Sequence, residues 1–353
     1  MKKVLGILLS VLLYPMIFLG QNTQVIGVDN SLPEEAKLPG IPELVSSDKE
    51  LKVLAAYDTG DFKYSVSDYQ AMPNSLFFKL SPNGKYLSYL EKEDLRYNIN
   101  IKEISTGEVT RVVEEKEEII IYYYWVNNER LIYLKDKGGD ENYHIYAVDI
   151  DGKNETDLTP FAGVKAQVLS ILKEQKDYII ISMNKDNPQI EEPYRLNVFT
   201  GEFTKLHENN DHGSPIDMYY FDKEGNLRAY SKLADGINLE FYYKNSETGD
   251  FDLKVKGNWE DTFSILSFNY NSPDPDDAFI LTNLTSDKSR IVLYDLKKNK
   301  EIKEMYSNPT YDLENMRLSR KRNYEVDFFR YEGGKLEMVP VSDLYKEIHE
   351  GVK

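Results

Sequence analysis

The sequence contains no cysteine, so no disulfide stabilises the fold and no N-terminal cysteine is available to carry a lipid anchor. Histidine is scarce. The four residues, His144, His207, His212 and His349, include no His-x-x-x-His pair, which argues against a helical zinc site. Lysine and arginine (43) are outnumbered by aspartate and glutamate (60), for a net charge of −17. That balance excludes nucleic acid as a partner, because such binding depends on neutralising phosphates. Beyond the first twenty residues no apolar run is long enough to cross a bilayer. No stretch reads as a helix long enough for a dinucleotide-binding or hydrolase core. Gly-x-Ser-x-Gly, the strand–turn–helix nucleophile elbow, is absent from all 353 residues. Neither a cofactor nor a metal is expected.

What the chain has in quantity is aromatic residues, 27 Tyr and 15 Phe, which suit pleated, half-buried surfaces. They fall in short alternating stretches punctuated by a recurring turn. Thr106-Gly107-Glu108, Asp151-Gly152-Lys153, Thr200-Gly201-Glu202, Thr248-Gly249-Asp250 and Lys298-Asn299-Lys300 recur at roughly 45–50 residues, the spacing of four-stranded propeller blades. Gly and Asn take the positive φ of a tight hairpin turn at little cost. The expected fold is an all-β propeller of about five full blades and a partial sixth.

The first blade is expected from about residue 74, with Ser81-Pro82-Asn83-Gly84 turning between its first two strands. Blades two to five are expected over about 119–158, 167–206, 216–255 and 263–306. The apolar run 178–183 reads as a strand buried on both faces. A partial sixth blade follows from about 312, and 342–349 has helical spacing with Ser342 as N-cap.

The predicted organisation is therefore a signal peptide over 1–20, a polar tether over 21–50, the propeller over 51–340 and a helical tail over 341–353. Lys2 and Lys3 precede the apolar run 4–13, and Gly20 offers a cleavage point, so the product is expected to be exported, periplasmic or extracellular. No integral membrane span remains after cleavage. Pro33, Pro39 and Pro42 argue against a packed element in the tether.

Candidate chemistry is thin. Ser214 with His212 or His207 has triad composition, but all three share one polar inter-blade loop and read as a solvated turn. Asp149–Glu155 misplaces the glycine of a calcium loop, and Asp274-Pro275-Asp276-Asp277 reads as an acidic turn before it reads as a calcium site. The most unusual loop is 136–143, Asp-Lys-Gly-Gly-Asp-Glu-Asn-Tyr. Asp140, Glu141 and Asn142 there are the candidate contact residues for a peptide or protein, against a simple structural turn in which they cap neighbouring amides. Tyr122-Tyr123-Tyr124-Trp125 and Tyr219-Tyr220 would serve a binding face if exposed, although first strands near a channel more often pack.

Three strings together resemble the prolyl oligopeptidase family, nearest its exported acylaminoacyl-peptidase-like branch. They are Ser81-Pro82-Asn83-Gly84-Lys85-Tyr86-Leu87-Ser88-Tyr89-Leu90, residues 136–146 (Asp-Lys-Gly-Gly-Asp-Glu-Asn-Tyr-His-Ile-Tyr), and residues 148–153 (Val-Asp-Ile-Asp-Gly-Lys). Asp157-Leu158-Thr159-Pro160-Phe161, Tyr194-Arg195-Leu196-Asn197-Val198 and Ser319-Arg320-Lys321-Arg322 continue the likeness in register over about 68–322. The resemblance implies a propeller that filters access of short peptides to an α/β-hydrolase domain bearing the Ser–Asp–His triad. That half has no counterpart in these residues, so no catalytic residue is carried over, and the ring has fewer blades than the seven or eight of the family. Glu191-Glu192 is similar in type to the paired glutamates that hold a substrate N-terminus in dipeptidyl-peptidase relatives. Its flanks do not match, and the pair reads as preceding a strand.

The expected function is thus the non-catalytic, substrate-gating propeller of a serine peptidase, read here as truncated before the catalytic domain. The alternative is a stand-alone exported propeller that binds protein, peptide or glycan. Expected partners are peptide or protein, including a separate hydrolase domain or a second copy through the open propeller edge.

Overall fold

The computed structural model describes residues 47–49, 52, 64 and 66–352. The expected signal peptide and most of the expected tether lie outside the described residues. The chain divides into two units, Met1–Ala71 and Met72–Lys353. In the first, a single turn of helix, α1 (Val66–Tyr69), carries Tyr69 edge-on to Tyr64 at 6.0 Å between centroids.

The second unit is built from six antiparallel sheets in chain order, five of four strands and one of three. Blade 1 holds β1 (Ser75–Leu80), β2 (Tyr86–Glu93), β3 (Arg96–Glu103) and β4 (Val109–Val113). Blade 2 holds β5 (Ile120–Trp125), β6 (Arg130–Lys135), β7 (His144–Asp149) and β8 (Thr156–Asp157). Blade 3 follows with β9 (Ala166–Ile171), β10 (Tyr178–Asn187), β11 (Ile190–Asn197) and β12 (Phe203–Lys205). Blade 4 is β13 (Ile216–Phe221), β14 (Leu227–Ala234), β15 (Asn238–Lys244) and β16 (Phe251–Lys256). Blade 5 is β17 (Phe263–Phe268), β18 (Asp277–Thr282), β19 (Arg290–Asp295) and β20 (Lys300–Tyr306). Blade 6 has β21 (Leu313–Ser319), β22 (Glu325–Glu332) and β23 (Leu336–Pro340), after which α2 (Asp343–Val352) packs on β22 and β23. This is the all-β propeller the turn period predicts, with the sixth blade one strand short.

The five recurring turns all fall between the third and fourth strands of their blades. The left-handed backbone they were expected to need is present, with φ of +78° at Gly107 and +54° at Asn299. In blades 2 and 3 the second strand carries the most continuous burial, and in blade 1 the third strand does. Leu131–Leu134 of β6 and Ile179–Met183 of β10 are buried throughout, because a neighbouring blade covers each face.

Blades are joined by apolar clusters and by a repeated polar link. Leu131, Tyr133 and Ile99 unite blades 1 and 2, and Ile132, Ile145, Ile179 and Leu196 unite blades 2 and 3. Phe241, Phe263 and Ile280 join blades 4 and 5, while Phe279, Met316 and Phe329 join 5 and 6. Each such side chain contributes about 1.5–3 kcal/mol when fully buried.

The seam between blades 3 and 4 differs. There His207 packs against Tyr230 and Phe251 at 5.5 and 5.3 Å, and Asn209 bonds both Glu192 and the Ile216 carbonyl. The first hairpin turn of each blade also hooks the next. Asn83 N–H donates to Asn128 Oδ1 (3.0 Å), Asn127 Nδ2 to the Lys176 carbonyl (2.9 Å) and Gln175 Nε2 to the Glu224 carbonyl (2.7 Å). Arg228 reaches the Pro275 carbonyl (3.2 Å) and Asn271 the Asn323 carbonyl (2.5 Å). All but the first of these bonds satisfy turn carbonyls that the sheets cannot.

Candidate functional site

The first strands of blades 3 to 6, β9, β13, β17 and β21, face a common cavity of about 740 Å³. Leu344, Tyr345 and Ile348 of α2 complete its wall. A volume of this size suits a small ligand or a few residues of peptide.

At this cavity four equivalent first-hairpin turns meet. Tyr324 of blade 6 donates its hydroxyl to Glu174 of blade 3 at 2.9 Å. Tyr324 also packs on Tyr270 of blade 5 at 4.6 Å, and Lys223 of blade 4 sits 5.0 Å from the Tyr270 ring centroid. Burial and then the Glu174 carboxylate raise the Tyr324 hydroxyl pKa, so it stays a donor.

The same cavity gathers positive charge. Lys173, Lys223, Arg317, Arg320, Lys321 and Arg322 line it together with two carboxylates, Asp222 and Asp327, while Glu174 stands beside it on Tyr324. Asp222 and Asp327 are both buried and engaged, Asp327 with Arg322 and Ser342 Oγ, and Asp222 with the turn amides of Glu224 and Asn226. Partial desolvation at the wall, reinforced by Arg320 and Arg317 and opposed by Glu174, holds the Lys173 amine below its usual range.

A second aromatic group surrounds Lys79 on β1. Its Nζ lies 3.6 Å from the Tyr122 ring centroid and 4.9 Å from that of Tyr124, and it donates to the Tyr123 carbonyl at 2.5 Å. Burial lowers the Lys79 amine to about 8. Beneath it Ser88, fully buried, links Trp125 Nε1 (2.8 Å) to the Tyr123 hydroxyl (2.9 Å). Tyr123, Trp125 and Tyr220 are buried, and Tyr122, Tyr124 and Tyr219 are half-buried. Residues 122–125 pack on the inner strand of blade 2, the commoner fate expected of them, whereas Tyr219 and Tyr220 line the axial cavity.

Asp140, Glu141 and Asn142 connect β6 to β7 and do not line the cavity. Asp140 accepts from the Asn142 amide (3.0 Å) and side chain (3.2 Å), which hold its carboxyl below the usual range. The Glu141 amide donates to Asp136, and Glu141 itself has φ +60°. Ser214 Oγ accepts from the Asp235 amide at 2.9 Å, while His212 approaches Asn187 and His207 packs on aromatic rings. No triad forms from these residues.

Glu191 and Glu192 lie within β11, not before a strand, so consecutive side chains point to opposite faces. Glu191 accepts from Ser182 and Gln167, and Glu192 pairs with Lys205 at 2.7 Å. Asp274, Asp277 and Asp295 bring carboxylate oxygens within 4.8 Å of one another. Lys298 Nζ already stands 2.6 Å from Asp295 and 3.6 Å from Asp274, giving the cluster its counter-charge. The charged cavity was missed at the level of sequence, although the run Arg320-Lys321-Arg322 was its visible signal.

The fold and this axial cavity define a β-propeller with a small-ligand or peptide-sized central site. No family model matches the chain. Among curated proteins it is similar to dipeptidyl aminopeptidase BIII of Pseudoxanthomonas mexicana, 33% identical over 167 residues, 46% of this chain and 24% of that protein. It is also similar to dipeptidyl peptidase family member 6 of Caenorhabditis elegans, 25% identical over 227 residues, 61% of this chain and 28% of that protein. The chain thus matches about a quarter of the length of these relatives. In fold it is similar to a prolyl endopeptidase studied for inter-domain dynamics in catalysis, with TM-score 0.56 at 12% identity over 76% of this chain and 42% of that one. The resemblance to the propeller portion of prolyl oligopeptidase-family peptidases is therefore borne out.

Proposed function

We propose that these residues form the substrate-gating propeller of an exported serine peptidase of the prolyl oligopeptidase type, controlling access of short peptides without breaking their bonds. The observation that carries this reading is the 33% identity to a dipeptidyl aminopeptidase in a chain whose described residues fold as propeller blades. The absence of Gly-x-Ser-x-Gly from the 353 residues and the separation of Ser214 from both neighbouring histidines support a non-catalytic role. Export rests on Lys2, Lys3 and the apolar run that follows them. The axial cavity supplies a place for a peptide to pass or pause.

The test is direct. The purified chain should hydrolyse no aminoacyl or peptidyl ester, and a serine-directed fluorophosphonate should leave it unlabelled. It should bind short peptides by calorimetry. Labelling that disappears in a Ser214→Ala variant would overturn the reading.

A further inference from the structure

We propose that the axial cavity is a binding site for peptide carboxylates, an inference that rests on the peptide-gating reading above. Arg322 is committed to Glu325 and Asp327, and Lys223 to the faces of Tyr270 and Tyr324. Arg317, Arg320 and Lys321 make no side-chain hydrogen bond or ion pair among the described residues, and Lys173 has only the neighbouring Glu174 carboxylate, itself bonded to Tyr324. Three unpaired cations, and a fourth that Glu174 offsets in part, therefore share one concave site in a chain of net charge −17.

These side chains are exposed at the cavity wall; like charges so placed repel one another, and a concave surface focuses the field they make. An anion entering the cavity relieves that repulsion. Arginine matches a carboxylate with two parallel N–H···O bonds. Leu169, Ile265, Met316 and Leu318 offer apolar wall to the rest of a peptide. The volume limits the bound segment to a few residues. The shared chemistry is the peptide carboxylate, whether at the C-terminus or on aspartate and glutamate side chains.

Three probes separate those sources from each other and from general peptide binding: acetyl-triglutamate amide, acetyl-triglutamine with a free C-terminus, and acetyl-triglutamine amide. Each is titrated calorimetrically into the full chain at low and at physiological salt. At least one of the two anionic probes should bind ten or more times tighter than the neutral amide, and raising the salt should weaken it. Which of them does so assigns side-chain or C-terminal recognition.

The double variant Arg317→Gln/Arg320→Gln should lose at least tenfold of that preference. Lys173→Gln, on a different blade, should reduce it independently, and Lys303→Gln on β20 should not. None of these substitutions removes an ion pair, so circular dichroism should be unchanged. Equal binding of all three probes, or preference retained in both cavity variants, overturns carboxylate recognition and leaves peptide gating standing. Binding of none overturns both.

Discussion

The hydroxyl of Tyr324 donates to the carboxylate of Glu174 at 2.9 Å across 150 residues of sequence. Each residue belongs to the first hairpin turn of its own blade, so the bond ties blade 6 to blade 3 across the cavity. Tyr324→Phe keeps the stacking on Tyr270 and removes only this tie. The contact is partly solvated, so the expected cost is about 0.5–1.5 kcal/mol. A lowered urea midpoint, with faster amide exchange over 172–176 and 319–324, is the expected readout. Unchanged exchange in both turns would contradict it.

Gly225 stands at φ +83°, and a Cβ there would lie 2.7 Å from Leu172 Cδ1 and 3.3 Å from Ile180 Cδ1. Gly225→Ala thus combines backbone strain with overpacking at the seam between blades 3 and 4, for a loss of about 2–4 kcal/mol. Denaturant unfolding measures it. Adding Leu172→Ala should cost less in the Gly225→Ala background than alone, because the two changes share one clash.

His207 is half-buried between Tyr230 and Phe251, and burial lowers its pKa below the ordinary value. Lys244 acts in the same sense, while Glu208 and Glu192 oppose it. The unfolded chain takes up a proton near pH 6.5 that the folded chain resists, so stability falls as pH drops below about 6.5 and is unaffected above it. His207→Phe should keep the ring packing and show a smaller drop in urea midpoint between pH 7.5 and 5.5. An identical drop in both proteins would count against this role.

With its amine lowered to about 8, Lys79 is about half neutral at pH 8, where an ordinary lysine near 10.4 is about 0.4% neutral. Acetylation by a small anhydride, followed peptide by peptide in mass spectrometry from pH 6 to 11, should give Lys79 a midpoint near 8. A midpoint above 10 would show that the tyrosine cage does not desolvate the amine.

Much of the fold was legible before any coordinates. Gly107, Gly152, Gly201, Gly249 and Asn299 marked one position in five successive blades, since few residues accept positive φ cheaply. The apolar run 178–183 announced a strand covered on both faces, and Ser342 announced the C-terminal helix. The site was far less legible. Asp140, Glu141 and Asn142 stood out as a string, yet their polar atoms serve their own loop. Glu191 and Glu192 looked like a pair and point apart, because neighbours on a strand face opposite ways. Lys173, Lys223, Tyr270 and Tyr324 carry no shared motif and lie in four separate blades.

By itself the sequence determined the blade repeat, the all-β class and the absence of a nucleophile elbow from these residues. All three follow from local chemistry: turn residues, strand alternation and motif spacing. Only the tertiary structure decided where charge collects. Packing of successive blades brings equivalent turns from blades 3 to 6 around one cavity, and so gathers cations that are dispersed along an acidic chain. Such clustering depends on contacts between residues up to 150 positions apart, and apart from the run Arg320-Lys321-Arg322 no local pattern encodes it.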